Sequence, residues 1–241
     1  MVKALPHVGQ SLGETVCCAG VTLDGQWRRQ YPIHFRLLQK QFTRWTWIEY
    51  DWIAPSGVDR RRESRRVQEH TIQVCGEMPR RERAGFLDSV ITASTKEAAS
   101  KGMSLTLVRP VKSRFRSKAK TAAQIAEERQ AYQAAASQKS FLDPDLIALD
   151  PCPYAFHFDW TDADGKSHKS TCDDWETAAT FYRFEKTLGA KGALHEMGQI
   201  FNERYPAEGM VFAMGTHSRY PDSWLLVGVL RLDRVTQLDL F

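Results

Sequence analysis

Two Asp-Gly dipeptides, Asp24-Gly25 and Asp164-Gly165, each lie between short stretches with the alternation of β-strands, and they constrain the fold more than any other feature of the chain. Glycine at such a site accepts the positive φ that a tight hairpin turn demands. The first joins residues 15–23 to 26–32, and the second, within 162–165, joins 154–160 to 166–171. Antiparallel hairpins are thus expected in both halves of the chain. Further strands are expected at 42–52, 104–108, 210–214 and 224–230, the last as a central strand because it is apolar throughout.

Helices are expected between these strands. Thr121 and Gln124 have capping-box spacing before an Ala-, Glu- and Gln-rich run. Ile125 and Tyr132 are the only large apolar residues through Gln138, so this helix reads as a surface connector. Asp173 or Asp174 caps a second helix that packs through Trp175, Ala178, Ala179, Phe181 and Tyr182 and ends at Gly189. Segments 84–100 and 193–204 complete the helical set. The fold class is α+β: a small antiparallel sheet or partial β-barrel lobe plus a mixed α/β lobe, joined by a surface helix. The boundaries are a basic β-rich lobe at 1–120, a connecting helix at 121–140 and an acidic lobe at 141–241.

Length and composition fit this architecture. The 241 residues are 42% hydrophobic and 26% charged, which excludes collagen-like and wholly disordered chains. No run approaches the roughly 18 to 20 apolar residues of a membrane helix, and the first residues lack the apolar core of a signal peptide, so a cytoplasmic protein without membrane contact is expected. Five cysteines with no CxxC pair point to reduced thiols rather than a disulfide framework or zinc ribbon.

Charge is unevenly placed. Residues 1–120 hold 22 Lys and Arg against 11 Asp and Glu, and residues 121–241 hold 11 against 18, so +11 and −7 underlie the net +4. Clustered cations gain free energy by releasing the counterions condensed on phosphates, so nucleic acid is the expected partner of the basic half. The alternatives are two domains that attract each other and a protein-interaction or assembly subunit, such as a homo-oligomer held by opposite halves. Arg60, Arg61, Arg62, Arg65 and Arg66 form one cluster. In the other, an extended backbone puts Lys112, Arg114, Arg116, Lys118 and Lys120 on one side; the bland alternative is a solvated loop.

Aromatic residues are interleaved with cations at Trp27, Arg28, Arg29, Tyr31, Phe35, Arg36, Arg44, Trp45 and Trp47. Bases offer a π face and phosphates a negative charge, so a single-stranded or flipped nucleic acid needs flat side chains beside cations. Arg28, Arg29, Arg36 and Arg44 are expected on phosphates and Trp45 and Trp47 on bases, whereas Tyr31, Phe35 and Trp52 read as core. The enzymatic alternative is a metal-dependent nuclease or other hydrolase acting on nucleic acid. Its candidate catalytic residues are His168, Asp173, Asp174 and His217, the last beside Arg219, with Glu49, Asp51, Asp59 and Glu63 as a further carboxylate set. Against these stand helix capping and neutralisation of nearby arginines. The P-loop, dinucleotide-binding, hydrolase-elbow, zincin and zinc-deaminase motifs are absent from the sequence, which assigns no cofactor and no metal ligand.

The segments GETVCCAG at 13–20 and GQWRRQYPIHFR at 25–36 resemble an uncharacterised family of prokaryotic proteins, as do Trp47-Ile48-Glu49-Tyr50, Glu63-Ser64-Arg65, Asp174-Trp175-Glu176 and Met214-Gly215-Thr216-His217 with Trp224 and Gly228. The family has no known activity, so the resemblance implies only that the two lobes belong together. The closing sheet is also similar, at the level of fold, to PUA-like modules that bind RNA or modified DNA bases.

Overall fold

The computed structural model describes residues 2–5, 7–9, 13–34, 42–55, 59, 61–139, 149–217 and 220–232, and these form an α+β fold of several small sheets, with no closed barrel among them. A six-stranded sheet runs in the order β1 (Val2–Lys3), β3 (Gly13–Val21), β4 (Trp27–His34), β7 (Ser64–Val67) and β6 (Trp52–Ile53), with β2 (His7–Gly9) beside β3. It is antiparallel except where β4 meets β7. The first Asp-Gly pair makes the β3–β4 turn: Gly25 has φ 78° and the Gln26 N–H donates to the Thr22 hydroxyl at 3.0 Å.

The stretch 42–52 departs from expectation. It is two strands, β5 (Thr46–Glu49), which pairs with β8 (Gln73–Glu77), and β6. Between them the Asp51 N–H donates to the Thr71 hydroxyl at 2.8 Å and the Asp51 carbonyl accepts from Gln68 at 2.9 Å. The turn Glu69–Thr71 therefore takes the bonds a continuing ladder would have used. Segment 84–100 also divides, into α1 (Arg80–Asp88) and α2 (Thr95–Ser100). The β-branched pair Ile91–Thr92 between them forms β9 and joins β10 (Leu105–Val108).

Strand β10 enters a four-stranded sheet in the order β15 (Trp224–Arg231), β14 (Met210–Thr216), β10, β9. Here β14, buried along its whole length, is central, and β15, expected there, lies at the end. Its apolar run is explained by what covers its outer side: Val2 lies against Gly228, and Cys172 bridges to Leu226. Strands β11 (Lys112–Ala119), β12 (Tyr154–Thr161) and β13 (Ser167–Thr171) form a third, antiparallel sheet whose β12–β13 turn holds Gly165 at φ 79°. Helix α3 (Ala122–Lys139) begins with the expected reciprocal cap, Gln124 N–H to Thr121 Oγ1 at 3.2 Å and Thr121 N–H to Gln124 Oε1 at 2.9 Å. Helix α4 (Trp175–Gln199) is broken at Gly189, whose φ of 67° and ψ of 171° are not helical. A π turn at Ile200–Arg204 and α5 (Tyr205–Glu208) lead into β14.

One core lies under the β11–β13 sheet, where Phe115, Phe156, Phe158 and Trp160 meet Phe181, Met197, Phe201 and Phe212. Another joins the two parts of the chain: Val2, Ala19, Trp27 and Leu87 pack with Leu105, Leu107, Val211 and Leu230. Each such large side chain contributes about 1.5 to 3 kcal/mol on burial. Tyr31 and Trp52, expected in the core, are instead 41% and 47% exposed. Trp52 sits on the edge strand β6, and its ring is covered by the Arg65 guanidinium at 4.1 Å. Phe35 lies outside the described residues. No helix among the described residues is long and apolar enough to cross a membrane.

Candidate functional site

The arginines expected on phosphates divide into two groups. Arg29, Arg44 and Arg61 reach across to residues 75 to 185 positions further along the chain. Arg29 donates to the Ser104 carbonyl at 3.1 Å, Arg61 to the Thr216 carbonyl at 2.7 Å and Arg44 to the Val229 carbonyl at 2.8 Å. Each has a carboxylate nearby. Glu63 accepts from the Ser104 N–H and hydroxyl, Asp59 pairs with Arg61 at 2.8 Å, and Asp174 pairs with Arg44 at 3.2 Å. Burial pushes the Asp59 carboxyl up, but hydrogen bonds from Arg61 and Ser64 outweigh it and hold the group at about 2. Arg65 donates to the Arg62 and Ser64 carbonyls and stacks on Trp52, and Arg28 donates to the Trp27 carbonyl and Gln26. Arg62 and Arg66 are exposed, and Arg36 and Arg60 lie outside the described residues.

The second basic cluster is extended, as its spacing predicts. Along β11, Lys112, Arg114, Arg116 and Lys118 are exposed while Phe115 between them is buried in the core. Registry across the sheet sets Arg114 opposite Asp159 and Arg116 opposite His157, then Asp159 opposite Lys169 and His157 opposite Thr171. Among the described residues of the three strands, the outer face thus carries Lys112, Arg114, Arg116, Lys118 and Lys169 with His157, against the single carboxylate Asp159, which pairs with Arg116 at 2.6 Å. Burial lowers the His157 pKa, and Arg116 and Lys118 lower it further. His157 and Lys169 were not among the expected site residues, although the alternation of β12 and β13 places them on this face. Lys120 is set apart by its ion pair with Glu128 at 2.7 Å.

Trp45 and Trp47 line a cavity of ≈ 420 Å³ together with Trp27, Tyr50 and Phe86. Strand β4 supplies Trp27, Arg28 and Gln30, the chain entering β5 supplies Arg44 and Trp45, and β5 itself supplies Trp47. Helix α1 supplies Phe86, and Leu107 and Leu230 come from the second part of the chain. Trp47 meets Phe86 edge to face at 5.3 Å. Arg83, which does not line the cavity, stacks on Trp45 at 4.6 Å.

The contacts of His168, Asp174 and His217, three of the four residues considered for catalysis, are with other side chains and backbone. His168 stacks on Trp160 at 4.2 Å, and its Nε2 meets Asp162 at 2.7 Å beside the β12–β13 turn. Asp174, 1% exposed, caps α4 by accepting from the Glu176 N–H, and also accepts from Thr177, the Val229 N–H and Arg44. Burial raises its pKa despite Arg44 and Val229. Asp173 lines a second cavity, of ≈ 790 Å³, beside α3, whose wall includes none of the other three. His217 is exposed and stacks on Tyr220 at 5.5 Å, and Arg219 lies outside the described residues. Asp59 pairs with Arg61 and Glu63 accepts from Ser104, while Glu49 and Asp51 are exposed. Among the described residues no three His, Cys, Asp or Glu side chains gather as a metal site.

This α+β chain, its halves joined through main-chain carbonyls, can be set beside known families. Residues 88–241, more than half of the chain, match the family described as "Domain of unknown function (DUF8757)", and the chain belongs to that family. Residues 1–89 match the one described as "Domain of unknown function (DUF8758)". No curated protein and no solved structure matches the chain. The resemblance to an uncharacterised family agrees with this result.

Proposed function

We propose that the protein binds nucleic acid through the outer face of the β11–β13 sheet. The observation that carries this reading is the alternation of β11, which sets Lys112, Arg114, Arg116 and Lys118 outward along one edge. Consecutive outward residues on a strand are about 6.7 Å apart, so a row of cations can track a chain of phosphates. Lys169 widens the face by one more cation, and among the described residues of the three strands Asp159 is the only carboxylate on that face. Arg62 and Arg66 offer further exposed cations, whereas Arg29, Arg44 and Arg61 hold the two parts of the chain together.

The test is fluorescence polarisation of labelled single-stranded and duplex oligonucleotides at several salt concentrations. Binding is expected to weaken steeply as salt rises. Arg114→Gln with Lys118→Gln is expected to flatten the slope of log affinity against log salt by about 0.7 to 0.9 per lost contact, without lowering the melting temperature. Cations on an edge strand also serve simply to prevent strand-to-strand aggregation. An unchanged slope in the double variant, or no binding by the native protein, would leave only that role.

A further inference from the structure

The cation row of β11 borders one group whose charge changes near neutral pH. His157 stands on the same outer face, half-buried, paired across the sheet with Arg116 on one side and Thr171 on the other. Lys118 and Lys169 are among its diagonal neighbours. Such neighbours lie about 7 to 8 Å apart, within reach of long side chains. A phosphate held by Arg116 and Lys118 therefore comes within reach of the imidazole.

The ring can serve in either protonation state. Its Nδ1 shares a hydrogen bond with the Thr171 hydroxyl at 3.3 Å, and Nε2 has no partner among the described residues. A hydroxyl both donates and accepts, so Thr171 donates to the neutral ring and accepts from the protonated one. Nε2 keeps a proton to donate in both cases, and protonation adds a full charge. Without a strand, burial, Arg116 and Lys118 hold the imidazole below its ordinary 6.5, against Asp159, which is itself paired with Arg116. Across the cavity beside α3 the charged groups are Lys120 with Glu128, Asp150 with Arg129 outside the wall, Asp173 and Lys186. Burial pushes the Cys152 and Cys172 thiols of the same wall up. Carboxylates, phenols and ammonium groups ordinarily titrate outside about pH 5 to 8, which leaves the imidazole as the group that changes charge there.

We propose that His157 is a further phosphate contact of this face and that it takes up a proton as a strand binds. The inference rests on the nucleic-acid reading of the same face. A phosphate beside the ring favours the charged form, which Arg116 and Lys118 by themselves disfavour. Linkage then fixes the sign: a proton held more tightly in the complex makes the complex tighter in acid. Affinity is level while the ring is neutral in both states, rises as pH falls through the pKa of the complex, and levels off below that of the free protein.

Fluorescence polarisation of a labelled oligothymidylate between about pH 8 and pH 5 tests this, because thymine takes up no proton in that range. The native protein is expected to bind about 10-fold more tightly at the acid end, the effect of one unit of upward shift. Its slope of log affinity against log salt is expected to steepen there by about 0.7, as for one added contact on a single strand. His157→Gln is expected to lose both changes. His157→Lys carries a fixed charge and is expected to bind at the alkaline end as the native protein does at the acid end. A gain of affinity in this variant is not something lost folding can imitate. Calorimetry at about pH 6.5 in buffers of different ionisation enthalpy is expected to show proton uptake on binding by the native protein and none by either variant.

The same pH response in the native protein and His157→Gln, or binding by the native protein without proton uptake, overturns the proposal and leaves the sheet-face reading standing. No binding by the native protein at any pH overturns both.

Discussion

Replacing Asp174 by Ala tests the joint between the two parts of the chain. The 1% exposed carboxylate accepts from the Glu176 N–H at 3.3 Å, Thr177 Oγ1 at 3.1 Å, the Val229 N–H at 3.1 Å and Arg44 at 3.2 Å. Loss of a helix cap alone costs about 1 kcal/mol. Removing one member of a buried ion pair costs about 3 to 5 kcal/mol, because the other charge stays behind, and the Arg44 side chain is 15% exposed. The two figures share one carboxylate and do not add in full. The expected loss is therefore about 3 to 5 kcal/mol, a large part of the roughly 5 to 15 kcal/mol that holds a typical domain. Urea unfolding followed by tryptophan fluorescence reads it directly. Asp174→Asn keeps a capping oxygen and an acceptor for Val229 but loses the charge, so it is expected to fall between native and Ala. A loss below about 1 kcal/mol for the Ala variant would refute the reasoning, and equal losses for Asn and Ala would show that charge pairing rather than capping dominates.

Asp59 predicts an acid limb. Its folded pKa lies at about 2, below the ordinary 3.8, so its contribution is whole above about pH 4 and is lost as pH falls toward 2. Asp59→Asn is expected to flatten stability across that window by about 1 kcal/mol, a figure reduced for solvent screening; an acid unfolding curve as steep as native would contradict this. At Gly228 an added Cβ would come within 2.5 Å of Val2 Cγ1 and 3.2 Å of Ala213 Cβ. Gly228→Ala should therefore destabilise by about 1 to 3 kcal/mol, with part of the loss recovered on adding Val2→Ala; strictly additive losses in thermal melts would refute the clash.

What could be read from the sequence was local. Gly25, Gly165, the Thr121–Gln124 cap, the Asp174 cap and the outward row from Lys112 to Lys118 each depend on residues a few positions apart, where turn chemistry and period-two alternation decide the outcome. The destinations of Arg29, Arg44 and Arg61 were hidden because their acceptors lie 75, 185 and 155 residues away. A cation that closes a joint and one that meets a phosphate look alike in sequence. Trp52 was misplaced for a related reason: a large aromatic suggests a core, but the edge position of β6 and the cover from Arg65 come from strands paired only in the folded chain. The split of 84–100 shows tertiary pairing by Ile91 and Thr92 overriding a helical pattern.

The three arginines of the joint all donate to backbone carbonyls, those of Ser104, Thr216 and Val229. Every residue type carries that acceptor. The carboxy-terminal portion is therefore free to exchange side chains at Thr216 and Val229 without undoing these hydrogen bonds, whereas Ser104, whose hydroxyl also meets Arg29 and Glu63, and the guanidinium groups of the amino-terminal portion must be kept. Chimeras pairing this amino-terminal segment with a divergent carboxy-terminal partner should accordingly tolerate substitution at Thr216 and Val229, provided the partner keeps Asp174 opposite Arg44.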